Sequence, residues 1–328
     1  EDWCSPWVED AMADLWLAPP TVPTFYFIGV TTGHSSSKRM FPAWMDALGR
    51  PEVVWQGIDL AIHDDPAHYR AVVEHIRHEP LALGGLVTTH KIDLLAACRD
   101  LFDELGPFAR ITDEVSSIAK DDGKLVGRAT DPVAGGRSLD AILGVDYFAR
   151  TGGEVLLLGA GGSAVALSLH LLQKPRPGDR PRRVVVVNRS AGRLERLAQM
   201  VASFPSDIDF EFIQNADPAH NDERLAKMPP ASLVVNATGM GKDIPGSPLT
   251  DAAIFPQKGV AWELNYRGEL DFLRQAQAQA QQTARSLTVA DGWEYFIHGW
   301  SQVISHVLHT EIDPPLLVRL SELAVAVR

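Results

Sequence analysis

The stretch GGEVLLLGAGGSAVA at residues 152–166 constrains this chain more than any other. Residues 154–158 form an apolar run of strand length, Gly159, Gly161 and Gly162 follow at once, and residues 164–172 read as an apolar helix. A strand, a glycine turn and a helix together cradle a pyrophosphate. The glycines let backbone approach the phosphates, and unpaired N–H groups at the helix start face the negative charge. A tight strand–helix turn with no ligand carries the same signature, so context decides. Here a second apolar run, residues 184–187, ends in Asn188-Arg189-Ser190, where the next strand of a dinucleotide fold meets the adenosine ribose.

The rest of the chain supplies strands and helices in alternation. Strands are expected at residues 24–28, 53–55 and 81–87, with helices between them at residues up to 48 and at 66–78. A helix starting near Lys91 follows. Asp121-Asp122-Gly123 between residues 115–120 and 124–127 is a hairpin signal, because Asp-Gly supplies the positive-φ turn. Gly135-Gly136 is expected to open a helix to residue 143. Strands at 184–187, 210–213, 233–236, 260–264 and 287–289 then alternate with helices, including one at 222–228. That rhythm argues a parallel sheet with helices on both faces, an α/β fold. The stretch after Asp291 reads as helical, and residues 1–20, with Trp3, Trp7 and Trp16, as an irregular or helical extension lying against the body.

A length of 328 residues suffices for two domains. Lys plus Arg is 30 against 42 Asp plus Glu, a formal charge of −12, which disfavours a nucleic-acid or anionic-membrane surface. No apolar run reaches membrane-spanning length and no secretory leader opens the sequence, so a cytoplasmic location is expected. Cys4 and Cys98 form no disulfide framework, and no His/Cys/carboxylate group has zinc spacing, so no metal is expected.

The order of motifs resembles the shikimate dehydrogenase family across roughly residues 24–325. His34-Ser35-Ser36-Ser37 resembles its substrate loop, and Val87-Thr88-Thr89-His90-Lys91 the segment ending in its catalytic lysine. The hairpin to Ala129-Thr130-Asp131 resembles the one that delivers its Asn-Thr-Asp motif, and Asn236-Ala237-Thr238 follows in the family's order. The resemblance implies an N-terminal α/β substrate domain (1–145), a Rossmann-type dinucleotide domain (146–290) and C-terminal helices returning to the first domain (291–328). A cleft between the domains would hold substrate and nicotinamide. The implied chemistry is reversible hydride transfer between nicotinamide and a secondary alcohol of a small, cyclic hydroxy acid. A homodimer is left open.

Lys91 and Asp131 match the catalytic pair. Moving a hydride to or from a carbinol carbon requires a proton to reach or leave its oxygen, which a lysine amine does if its pKa is lowered towards the working pH. Both also suit plainer roles, a surface lysine at a helix start and an aspartate filling a turn before Pro132. Ser35 and Ser37 match carboxylate-binding positions, although serines also cap helices, and Lys38 adds charge where the family has proline. Aligned on these motifs, the family's polar substrate contacts fall on Gly85, Val87, Ser116 and Ala129, with Thr88 replacing Val87 if the loop slips by one residue. Gln302 falls close to a substrate glutamine, and Asn265-Tyr266 where a tyrosine near the nicotinamide is expected. These departures suggest an acid larger or less hydroxylated than shikimate, in space opened by Gly85 and Ala129.

The cofactor positions are Gly159, Ala160, Gly161, Gly162, Ser163 and Ala164 in the turn, Asn188, Arg189, Ser190 and Arg193 at the ribose, and Asn236 and Thr238 beyond. A neutral Asn188 followed by Arg189 argues for NADP, since an acidic residue there would hold a free 2′-hydroxyl and Arg189 can clamp a 2′-phosphate. A solvated basic helix start is the plainer reading of the same arginines. Two other functions stay open: a sensor that binds acid or NADP without turnover, and an NAD-linked quinate-type dehydrogenase.

Overall fold

Helix starts show how local chemistry sets the elements. In the helix Pro66–His78 the Asp65 carboxylate accepts from the Ala67 N–H, Pro66 takes the first turn, and Tyr69, Val72, Val73 and Ile76 form one buried stripe. A computed structural model of the chain describes residues 17–242, 244–281 and 286–326. Most of the expected N-terminal extension, with its tryptophans and Cys4, lies outside these residues. Two compact units result: one runs up to Thr130 and resumes at Trp300, and the other is Asp131–Gly299. The expected boundaries after 145 and 290 are thus displaced.

The first unit contains β1 (Thr24–Gly29), α1 (Ser37–Ala47), β2 (Val54–Asp59), α2 (Pro66–His78), β3 (Ala82–Val87), α3 (Lys91–Cys98), β4 (Glu104–Leu105), α4 (Pro107–Thr112), β5 (Ser117–Asp121) and β6 (Lys124–Arg128). Its sheet runs β2-β1-β3-β5-β6-β4. β1 pairs in parallel with β2 and β3, whereas β3–β5 and the β5–β6 hairpin are antiparallel. Asp122 and Gly123 at the hairpin tip have φ of 47° and 79°, as the Asp-Gly signal requires. Short β4 and α4 carry no periodicity and were not expected.

The second unit holds α5 (Asp131–Leu143), α6 (Tyr147–Thr151), β7 (Val155–Leu158), α7 (Gly162–Gln173), β8 (Arg183–Asn188), α8 (Ala191–Ala202), β9 (Asp209–Gln214), α9 (Pro218–Leu225), β10 (Leu233–Asn236), β11 (Val260–Glu263), α10 (Asp271–Ala280) and β12 (Thr288–Ala290). Its six strands are all parallel, in the order β12-β11-β10-β7-β8-β9. This is the doubly wound dinucleotide order, with its switch point between β7 and β10. β7, β10 and β11 are buried at every residue, which explains their apolar runs, interrupted only at the carboxyl ends by Asn236 of β10 and Glu263 of β11. α11 (Trp293–Leu308) and α12 (Pro314–Val325) complete the chain, and the unit boundary falls within α11.

Two helices start earlier than their glycines or charges suggest. α5 begins at Asp131 rather than Gly135, with Asp131 and Pro132 in its first turn. Gly135 and Gly136 instead serve packing. A Cβ at Gly136 would lie 2.2 Å from Nδ1 of His170 on α7, so only glycine lets the two helices approach, and α5 belongs to the second unit. α9 begins at Pro218, not residue 222, because the Asp217 carboxylate caps the Ala219 N–H. Among the described residues no helix is long and apolar enough to cross a membrane.

The C-terminal helices are part of the first unit's core. Trp300 packs on Phe25 and Phe27, with ring centroids 5.8 and 5.2 Å apart. Ser117 Oγ lies 2.7 Å from His306 Nδ1, and burial pushes that imidazole down to about 3, so the contact is a neutral hydrogen bond. Acidification through the ordinary histidine range works against this fold, since the unfolded chain takes up the proton that the folded site refuses. Trp44 on α1 is fully buried and its indole N–H donates to the Leu320 carbonyl of α12 at 2.8 Å. Trp44→Phe leaves that carbonyl unpaired and a void beside it. It is expected to lower the unfolding free energy by about 2–4 kcal/mol. Denaturant titration showing a change within about 0.5 kcal/mol would remove this contact from the core's essential set.

Candidate functional site

In the second unit the glycine turn leaves the carboxyl end of β7. Gly159 has φ of 113°, its N–H donates to Val187 O at 2.7 Å, and a Cβ there would lie 2.5 Å from Ala237 O. Glycine is required at this position by the fold itself. Gly161 differs: it is the residue before α7, and a Cβ on it would meet nothing within 4 Å. Packing therefore gives no reason for glycine at 161, whereas a ligand approaching the helix start does. The half-buried Gly162 and Ser163 open α7.

Gly161, Asn188, Arg189, Arg193, Asn221 and Thr238 line a cavity of about 140 Å³ at this edge of the sheet. Arg189, Ser190 and Arg193 are exposed. The Asn188 amide is occupied within the protein: its oxygen accepts from the Ala160 N–H at 3.3 Å and its nitrogen donates to Ser190 O at 3.0 Å. It braces the glycine turn and adds no negative charge. Asn236, at the end of β10, accepts from both the N–H and the hydroxyl of Thr238, at 3.1 and 2.6 Å. This fixes the loop that carries Thr238 towards the cavity.

Asp131 is 8% exposed. The Tyr295 hydroxyl on α11 lies 3.4 Å from its Oδ2 and 3.3 Å from Ser163 Oγ, linking the acid to the start of the glycine-turn helix. Sequence reasoning missed Tyr295, which reads there as one more apolar residue of an amphipathic helix. Tyr266 packs its ring on Phe296, centroids 4.3 Å apart, with Trp293 at 5.8 Å. The neighbouring Asn265 is turned inward, donating to Glu263 at 2.6 Å.

In the first unit, Ser35 and Ser37 are brought together, their hydroxyls 2.7 Å apart. Ser35 Oγ also accepts the Ser37 N–H at 3.2 Å, while Ser36, at the capping position, makes no side-chain cap. The turn before them is tied down by Asp59, which accepts from the N–H and hydroxyl of Thr32 at 2.7 and 2.5 Å. Lys38 is exposed, Lys91 is the half-buried first residue of α3, and Gln302 is half-buried on α11.

The substrate contacts expected by alignment fall differently. Val87 and Ala129 are 0% and 3% exposed and belong to the apolar core of the unit. A Cβ at Gly85 would sit 2.3 Å from Tyr26 O, so glycine there serves the approach of β1 to β3. Neither Gly85 nor Ala129 opens a space for a larger acid, which corrects that expectation. Thr88 is half-buried, and its Cγ2 and that of Thr32 converge on Gly29, where a Cβ would lie 2.8 and 3.3 Å from them. Ser116 is buried and committed, accepting the Thr130 N–H at 2.8 Å with the Thr130 hydroxyl at 2.9 Å. It braces the residue before Asp131.

No protein-family model matches the sequence. The shikimate dehydrogenase (NADP(+)) of Symbiobacterium thermophilum is 31% identical over 277 residues, 82% of this chain and 87% of that protein. Among solved structures, a quinate dehydrogenase from Corynebacterium glutamicum in complex with NAD superposes with a TM-score of 0.70 at 20% identity, covering 93% of this chain and 99% of the other. The shikimate dehydrogenase of Thermus thermophilus, in complex with NADP(H) and shikimate, gives 0.67 at 23% identity over 93% and 99%. These two establish the shared fold. With the first relative's identity over most of both chains, the protein belongs to the shikimate dehydrogenase family.

Proposed function

We propose that the protein is an NADP-dependent oxidoreductase that interconverts a secondary alcohol and a ketone on a small cyclic hydroxy acid. The observation that carries the cofactor reading is the edge of the second sheet. There an unforced glycine at 161 faces a helix start, and the end of β8 presents neutral Asn188 followed by exposed Arg189 and Arg193. The residues fit the group: backbone for the pyrophosphate, and guanidinium for a 2′-phosphate where an acid would favour a free 2′-hydroxyl.

When bound, NADP accepts or supplies the hydride. In this reading Lys91 takes the proton from the alcohol as the carbon is oxidised and returns it in the reverse direction. Asp131, held by Tyr295, orients the reacting hydroxyl. Ser35 and Ser37 hold the carboxylate, with Lys38 adding charge and Thr88 a hydroxyl. Ser116 positions the Thr130 end of the hairpin, and Gln302 completes the substrate set.

Three experiments test the reading. Gly161→Val puts a side chain beside the helix start with no protein atom in its way, so the fold should persist while NADP binding falls at least tenfold. Undiminished titration would cancel the assignment. Arg189→Ala should lower the NADP/NAD affinity ratio by about tenfold or more. An unchanged ratio would return the arginine to solvent. Lys91→Ala should reduce kcat about a hundredfold or more with little change in dinucleotide affinity. Near-normal turnover would make it a surface lysine.

A further inference from the structure

At the carboxyl ends of β10 and β11 one buried carboxylate is surrounded by donors. Glu263 is 0% exposed. Its Oε1 accepts from the Asn265 N–H at 2.8 Å and from Asn265 Nδ2 at 2.6 Å, and its Oε2 accepts from Asn236 Nδ2 at 2.6 Å. Both amide nitrogens also donate to the Met240 carbonyl, at 3.3 Å from Asn236 and 3.1 Å from Asn265. Asn236 therefore has a fixed orientation. Because its nitrogen is directed at Glu263 and Met240, its oxygen is left to accept the N–H and hydroxyl of Thr238. Thr238 Oγ1 in turn accepts the Met240 N–H at 3.1 Å.

We propose that Glu263 is a positioning residue for the cofactor, acting through the Asn236 amide to hold the loop from Asn236 to Met240 in its binding shape. The proposal rests on the reading that Thr238 on this loop contacts the dinucleotide. A carboxylate is the group that suits the place, since every group it meets among those bonds is a donor. A proton on Oε2 that turns towards the Asn236 amide sets donor against donor, and that amide relieves the clash by turning over, which releases Thr238.

Burial pushes the Glu263 carboxyl up to about 7, and the carboxylate of Asp291, just beyond β12, adds to this, while the bonds from Asn265 and Asn236 pull the other way. The other groups named around it, Asn236, Asn265 and the Met240 carbonyl, are uncharged. The protonated and ionised forms thus exchange near neutrality. Two opposite pH trends follow. Folding gains as pH falls towards about 7 and below, because the folded chain holds a proton that the unfolded one releases. Cofactor affinity instead falls as pH drops, because the loop is released. A profile that only tracked stability would have the opposite sign.

The test is NADPH fluorescence titration from pH 6 to 8 on the unaltered protein, Thr238→Val, Glu263→Gln and the double variant Glu263→Gln/Asn236→Asp. The double variant restores a donor–acceptor pair and leaves an oxygen for Thr238. We expect Glu263→Gln to weaken binding about tenfold at pH 8 and to raise the KM for cofactor more than it lowers kcat. It should also lose several-fold of the pH dependence shown by the unaltered protein. The titration of the cofactor's own 2′-phosphate is common to both and cancels. The double variant should recover most of the affinity. Weakened binding by Thr238→Val with unaltered binding and pH profile in Glu263→Gln overturns the proposal and leaves the cofactor reading standing. Unaltered binding in both overturns the two together. Where the single variant fails to fold, a double variant that folds and binds supports the amide-orienting role, and one that does neither overturns it.

Discussion

The nucleotide unit depends on one close approach. As the chain leaves β7 it must pass between the carboxyl ends of β8 and β10, and Gly159 is the residue that makes this passage. Its N–H is held by Val187 O on one side, and on the other a Cβ would sit 2.5 Å from Ala237 O. Positive φ and missing side chain are both needed at once. Once the turn is so placed, α7 starts beside the ends of two neighbouring strands. Gly161, Asn188 and Thr238, far apart in sequence, then meet around one cavity. The switch point between β7 and β10 is thus first of all a consequence of packing.

What the sequence made legible follows from burial. Strands covered on both faces are apolar along most of their length, so β7, β8 and β10 announce themselves, and their alternation with helices indicates a parallel sheet. Elements whose reasons are tertiary stayed hidden. Gly135 and Gly136 look like a helix start, and only the facing helix explains them, through Leu167 and His170. The hydrogen bond from Trp44 to Leu320 spans most of the chain's length. Tyr295 acquires its role from Asp131 and Ser163, which no periodicity brings together.

The substrate-side misreading has a similar cause. Motif spacing counts residues, but a strand alternates its faces, so a slip by one residue exchanges them. β3 is irregular at its start, where its pairing with β1 shifts between Thr24 and Phe25 and Gly84 sits at φ 137° with its Cβ direction blocked by Ile118 O. From there its pairing is regular, and Val87 joins the core while Thr88 stays half-buried. Motif alignment alone does not say which neighbour of the pair carries a hydroxyl clear of the core.

Matching a family position and being available to a ligand are different properties, and burial separates them. A polar group withdrawn from water needs a partner inside the protein. Asn188, Ser116 and Asn236 each have their partners: the glycine turn, Thr130, and the Glu263–Thr238 pair. They shape the sites without being the most direct readers of what enters. Groups that read a ligand must trade water for it, and the exposed guanidinium groups of Arg189 and Arg193 can do so at little desolvation cost. That same exposure lets salt screen them, so in the proposed reading cofactor choice rests on geometry and bidentate hydrogen bonding more than on charge alone. In the first unit the hydroxyls of Ser35 and Ser37 share one hydrogen bond. In the proposed reading an entering carboxylate divides that pair and accepts from both. That reading favours an anion with two oxygens over a single hydroxyl, because the two side chains stand only 2.7 Å apart before any ring is considered.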